Sequence, residues 1–176
     1  CNPANTPIAL TLIWFDAHGD FNTPETTPSG FIGGMPLAMM VGLGDQDIVE
    51  NAGMRVIPED RVILTDARDL DPGERDAVEA SAVRHLPSAA DLLHMNLPDG
   101  PLYVHFDADI LNPEDAPAHR YAAPGGPSAD VMRQIFERLA NTGRVQAVSL
   151  SAWDAANDEG GKTGAMVMDL VRVLLG

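Results

Sequence analysis

The stretch Ile13-Trp14-Phe15-Asp16-Ala17-His18-Gly19-Asp20 joins an apolar run to alternating polar side chains. In extended backbone, residues i, i+2 and i+4 point to one face, so Asp16, His18 and Asp20 can be aimed at a single point. A second run repeats the device, with Leu102-Tyr103-Val104-His105-Phe106 ending in Asp107-Ala108-Asp109. Four carboxylates gathered together repel and raise one another's pKa, a difficulty that bound cations remove. The two runs therefore read as one carboxylate-rich metal centre at the mouth of a parallel sheet. Oxygen-rich coordination that includes an imidazole favours Mn²⁺ over Mg²⁺. Two such ions, roughly 3.5–4 Å apart, activate water at neutral pH.

Around these runs the chain alternates strands and helices. Strand patterns cover residues 8–15, 61–65, 83–86, 102–106 and 145–150, and helical patterns cover 36–43, 73–81, 129–140 and 163–175. Pro127-Ser128 is a helix entry signal and Gly143 a stop. Met35, Met39 and Met40 read as core packing on the first helix. Such alternation implies a parallel sheet covered on both faces, a three-layer α/β/α fold. Without repeats, linkers or low-complexity segments, residues 1–176 read as a single domain. The polar, glycine-rich stretches 19–34, 66–73, 110–128 and 154–164 all follow strand ends. Ligands of open parallel sheets bind outside the carboxyl ends of the strands, so these segments are expected to meet there.

Bulk properties narrow the partners. The 176 residues carry a formal net charge of −15, which argues against nucleic-acid or anionic-membrane partners, since both require a basic face. The single cysteine permits no internal disulfide and points to a cytoplasmic location. No apolar run reaches the roughly 20 residues needed to span a bilayer.

Two further segments offer substrate contacts. Asn22 and the hydroxyls of Thr23-Pro24-Glu25-Thr26-Thr27-Pro28-Ser29 can bind a carboxylate, and the same composition suits a loop held by local side-chain turns. Asp71 and Glu74 can pair with an ammonium group, while Asp-Pro-x-Glu is also a favoured helix start. His105, two residues before Asp107, reads as a packed neighbour of the site, His119 as a residue near the substrate, and Trp153 as a wall of the pocket or part of the core.

Taken in order, Asp16-Ala17-His18-Gly19-Asp20-Phe21-Asn22-Thr23-Pro24, Ser29-Gly30, Gly34-Met35-Pro36, Arg68-Asp69-Leu70-Asp71-Pro72-Gly73-Glu74 and Phe106-Asp107-Ala108-Asp109 resemble the arginase (ureohydrolase) family. The resemblance implies an arginase-like α/β/α fold, two Mn²⁺ ions, hydrolysis of a guanidino or amidino C–N bond, and a homo-oligomer. It implies Asp16 and Asp107 as bridging ligands and His18, Asp20 and Asp109 as terminal ligands. Asp20 or Asp109 would relay a proton. Asn22 and Ser29 would bind an amino-acid carboxylate, with Asp71 and Glu74 near its ammonium group.

Three departures qualify the match. Cys1 and Asn2 stand where the family has a metal-binding histidine and its successor, as in the branch acting on N-hydroxylated arginine, so Cys1 is a further candidate ligand. Gly33 replaces a histidine associated with proton transfer, and glycine does no acid–base work. Ala152 replaces a glutamate that grips the guanidinium, leaving Asp154 as the nearest carboxylate. The chain is expected to lack N-terminal segments of the family. Gly33 favours a substrate such as N-hydroxyarginine over plain arginine. Two rival readings are a catalytically degenerate relative acting in binding or assembly, and a deacetylase-like amidase holding one Zn²⁺ on Asp16, His18 and Asp109.

Overall fold

The computed structural model describes residues 10–176. Five strands, β1 (Thr11–Asp16), β2 (Val62–Asp66), β3 (Arg84–Leu86), β4 (Leu102–Asp107) and β5 (Val145–Ser151), form one sheet in the order β3-β2-β1-β4-β5. Every pairing is parallel. Every residue of β1 and β2 is buried, as expected of strands covered on both faces.

Side-chain alternation divides the core into two layers. Ile13 and Phe15 of β1 join Val104 and Phe106 of β4 on one face. There they meet α4 (Ala129–Ala140) and α5 (Lys162–Leu175). Helix α4 buries Met132, Ile135, Phe136 and Leu139, an i, i+3, i+4, i+7 stripe. Leu12 and Trp14 point to the opposite face, with Leu37 and Ala38 of α1 (Pro36–Met40) and Val78 of α3 (Pro72–Ala80). The fold is thus the expected three-layer α/β/α sandwich.

The boundaries follow local chemistry. Helix α4 begins where Ser128 accepts from the Val131 N–H at 3.4 Å. Helix α1 is shorter than its pattern because Gly42 turns the chain at φ 90°. A short helix, α2 (Asp47–Asn51), escaped the sequence reading. It buries only Val49, against Met35 and Met39, which leaves too little apolar periodicity to see.

The chain lays β2 and β3 to one side of β1, then crosses to place β4 and β5 on the other. Strand order therefore reverses between β1 and β4, the position where open sheets form ligand crevices. The two carboxylate-bearing runs leave the sheet from these two neighbouring strands.

Candidate metal centre

Asp16 is the last residue of β1 and Asp107 the last of β4. By strand alternation Asp16 shares a face with Trp14, and Asp107 with His105. Trp14 and His105 lie side by side in register, so both carboxylates emerge on the same face of the sheet. Beyond them His18 and Asp109 turn inward. His18 Nδ1 lies 3.4 Å from Asp16 Oδ1 and 3.2 Å from Asp109 Oδ2. Ligand atoms of Asp16, His18 and Asp109 stand within 4.8 Å of one another, as do those of Asp16, His105 and Asp107. Asp16 belongs to both sets and links them. Asp20 lines the same pocket without joining either set.

The electrostatics match the crowding. Burial pushes the Asp16 carboxyl up to about 6, and the Asp109 charge adds to the effect. Burial, then the Asp16 and Asp107 charges, raises Asp20 well above the usual range. Asp107 is raised by burial and then by Asp16 and Asp109. Burial opposes ionisation of Asp109 too, but hydrogen bonds with His18 and Asp107 hold it below the usual value. His18, held by Asp109 and then Asp16, is carried up to about 11. An imidazolium therefore supplies the local positive charge in this arrangement. A site that strains to ionise three of its carboxylates is one that divalent cations would relieve, so the donor set fits the expected ions.

The surrounding loops close a pocket of about 810 Å³, lined by Asn22, Ser29, Gly33, Asp69, Asp71, Glu74, Ala152, Trp153 and Asp154 besides the ligand candidates. The nominated ligand residues among the described positions and Asn22, Ser29, Asp71, Glu74 and Asp154 line it, whereas His119, expected near the substrate, and the Thr23 and Thr26 hydroxyls do not. Cys1 lies outside the described residues. Several nominated groups already have partners. Asn22 donates to Asp71 Oδ2 at 3.0 Å and accepts from Thr26 Oγ1 at 3.0 Å. Glu74 accepts the Phe21 N–H at 2.8 Å and reaches back to the Asp71 N–H at 3.2 Å, so it acts both as a helix-start residue and as a brace for the ligand loop. Gly19 makes that brace possible, because a Cβ there would stand 2.6 Å from Glu74 Oε1. Ser29 is exposed and accepts from the Phe31 N–H. Asp154 accepts from Ala156 and Asn157 and lies 3.9 Å from Arg120.

Other lining residues were not read from the sequence. Phe31 and Tyr121 tilt together across the mouth with ring centroids 5.5 Å apart. The Phe31 ring covers Gly33, where a Cβ would meet it at 2.4 Å. Arg120 and Tyr121 line the pocket, whereas His119 turns inward toward the Ala152 carbonyl. No signal in the sequence separated these three neighbours. The non-glycine residues with left-handed backbone among the described residues are Asp20, Asp66, Ala67 and Ala152. All follow or end strands at this edge, where strained backbone clusters around functional sites.

Known proteins resemble this chain in sequence and in fold. The chain is 36% identical to the N(omega)-hydroxy-L-arginine amidinohydrolase of Streptomyces lavendulae over 94% of its own length and 59% of that protein's. It is 34% identical to the arginase of Bacillus subtilis over 95% of its own length and 60% of the relative's. The crystal structure of Bacillus subtilis arginase superposes with a TM-score of 0.87 at 33% identity, covering 99% of this chain and 64% of that one. The native Bacillus caldovelox arginase gives 0.88 at 30% identity, covering 99% and 62%. The chain thus spans about 60% of the length of the curated relatives it matches. The sequence pattern of the Arginase family matches residues 4–176. A switch-point pocket built on two carboxylate runs, together with a family match over nearly the whole chain, places this chain in the arginase family.

Proposed function

We propose that this chain carries the metal and substrate sites of an amidinohydrolase that hydrolyses the C–N bond of a guanidino substrate with two Mn²⁺ ions. The convergence of Asp16, His18, Asp107 and Asp109 at the β1–β4 switch point, with Asp20 in the same pocket, carries this reading. Asp16, His18, Asp20, Asp107 and Asp109 would hold the ions, with Asp16 common to both clusters of ligand atoms. When bound, such ions act as Lewis acids and lower the pKa of water toward neutrality. The side chains supply the remainder. Asp20 or Asp109 holds the proton at a carboxylate oxygen and delivers it to the departing nitrogen. Asn22 and Ser29 receive the substrate's carboxylate, and Asp71 takes its ammonium group within a loop that Glu74 braces. Asp154 is the carboxylate nearest the missing guanidinium grip at Ala152.

The substrate we favour is N-hydroxyarginine rather than arginine. Gly33 offers no proton to a leaving group, so a guanidine made more acidic by oxidation suits the site better. One of the relatives at 36% identity bears the name of that activity. We infer further that the 176 residues form one arginase-like domain, and that the whole protein acts in the cytoplasm as a homo-oligomer on a small guanidino substrate. The test is ornithine release from N-hydroxyarginine and from arginine by the Mn²⁺-loaded whole protein. Faster release from N-hydroxyarginine is expected. Two bound ions with turnover of neither substrate would overturn the substrate assignment. It would favour the second reading, a binding or assembly role, which the Phe31 ring over Gly33 and the absent carboxylate at Ala152 support.

A further inference from the structure

Beneath the candidate ligands lies a set of polar contacts that the proposed reaction does not itself use. His105 stacks on Trp14 with ring centroids 3.6 Å apart and planes 20° from parallel. Its Nδ1 lies 2.7 Å from Ser149 Oγ, which is 2.9 Å from the Tyr103 hydroxyl. Its Nε2 lies 3.1 Å from Ser151 Oγ, which donates to Asp107 Oδ2 at 2.7 Å. On the other side of the stack, Trp14 Nε1 donates to Asp16 Oδ2 at 3.1 Å.

The donor count fixes the direction of this chain. Asp107 must be ionised to hold a metal, and a carboxylate only accepts, so in that state Ser151 spends its single proton on Asp107. Ser151 can then receive one only from His105 Nε2–H. A neutral imidazole protonated at Nε2 accepts at Nδ1, and Ser149 supplies that proton while accepting from Tyr103. The order of donation is Tyr103, Ser149, His105, Ser151, Asp107.

Strand register makes the chain possible. Leu102 pairs with Val145 but Tyr103 pairs with Ala147, so Gln146 is an extra residue in β5. Without that bulge the pairing would set His105 beside Val148 and Asp107 beside Leu150. A one-residue shift reverses which face every later side chain meets. The bulge instead sets Ser149 beside His105 and Ser151 beside Asp107.

We propose that His105 is a positioning residue: through Ser151 it fixes which oxygen of Asp107 faces the metal centre, while its stacked partner Trp14 does the same for Asp16. Direct ligation by His105 is the competing arrangement, since its ring nitrogen lies close to oxygens of Asp16 and Asp107. Both ring nitrogens already have hydroxyl partners, however, and one ring face is covered by Trp14. Partners of this kind orient metal ligands, and their loss typically costs about 10–100-fold in metal affinity.

The proposal rests on the metal-centre reading, and the test separates the two. Mn²⁺ binding to the whole protein is followed by the electron paramagnetic resonance signal of the free ion, with circular dichroism reporting folding. Wild-type protein that binds no Mn²⁺ overturns the metal centre and this proposal with it. If wild type binds, Ser151→Ala and His105→Phe are each expected to weaken affinity about 10–100-fold, and the double variant no further than Ser151→Ala alone. Ser151→Thr, which keeps the hydroxyl, is expected to bind within about threefold of wild type, on the hydrogen-bonding equivalence of the two hydroxyls. Wild-type affinity in Ser151→Ala overturns the proposal even if His105→Phe fails to fold. Loss of one ion from the stoichiometry in His105→Phe alone, with Ser151→Ala unaffected, would make His105 a ligand and overturn it as well.

Discussion

Arg68 reaches from the end of β2 under the loop that follows Asp109. It donates to the carbonyls of Asp109, Ile110, Ala123 and Pro124 and meets Asp66 Oδ1 at 2.9 Å. The loop needs this anchor because its carbonyls face inward, where unpaired acceptors are costly. The approach is close enough that a Cβ at Gly126 would stand 2.9 Å from the guanidinium and 2.3 Å from the Ile110 carbonyl oxygen. Lysine has a point charge but no planar fork. Arg68→Ala, which also strands the Asp66 carboxylate, is therefore expected to destabilise the protein by about 3–5 kcal/mol. Arg68→Lys should recover less than half of that loss. Urea denaturation measures both. A loss below about 1 kcal/mol for alanine, the level of an exposed ion pair, would show that the loop holds itself in place. The sequence quotes Arg68 within a motif but gives no hint of this work, because its partners are main-chain carbonyls whose identity depends on the loop's path.

At the scale of elements, strands and longer helices follow from local pattern while the contacts between them do not. The pattern at 129–140 reproduces α4 residue for residue, since an apolar stripe, a serine cap and a glycine stop agree there. The sequence also assigns Asp16, His18, Asp107 and Asp109 to one site, because alternation along a strand is a local property. It does not reveal that Ser149 and Ser151 support His105 and Asp107. That depends on the bulge at Gln146, and register between strands leaves no periodic trace in either one. The same holds for the Phe31–Tyr121 pair, which joins two loops. Packing between elements gives its own prediction. Phe136 of α4 stands edge-on to Phe15 of β1 and Phe106 of β4, at 5.3 and 5.1 Å, and all three rings are fully buried. Phe136→Ala leaves a cavity bounded by two rigid strands that cannot close in. Its expected cost is about 3–5 kcal/mol, read from the denaturation midpoint at unchanged slope. A cost near 1 kcal/mol would mean that α4 shifts to fill the space.

For the whole molecule, the parallel sheet concentrates its acidic side chains at one edge, and this sets how stability depends on pH and metal. Without metal, burial raises Asp16 to about 6 and lifts Asp20 and Asp107 well above their usual range. An aspartate in the unfolded chain ionises near 3.9. Between about pH 4 and 6 the folded protein keeps an Asp16 proton that the unfolded chain has released, so stability falls as pH rises through that window and stays lower above it. His18 acts in the same direction. Its pKa is raised to about 11, so its contribution is complete below about pH 6.5 and is lost as pH rises through 11. Asp109, lowered below its usual value, acts oppositely but only under more acidic conditions. Cations bind carboxylates and neutral imidazole, so metal must displace these same protons and binds more tightly as pH rises. The melting temperature of metal-free protein should therefore fall from pH 4 to 6. The increase caused by a fixed Mn²⁺ concentration should be small at pH 5 and larger at pH 8. Asp16→Asn removes the carboxylate common to both ligand sets and should abolish most of the metal-induced increase while lifting the metal-free melting temperature at pH 8. Thermal melts across this pH range decide the matter. An equal Mn²⁺ effect at pH 5 and pH 8, or a variant that responds like wild type, would mean that the ions are held somewhere other than the β1–β4 edge.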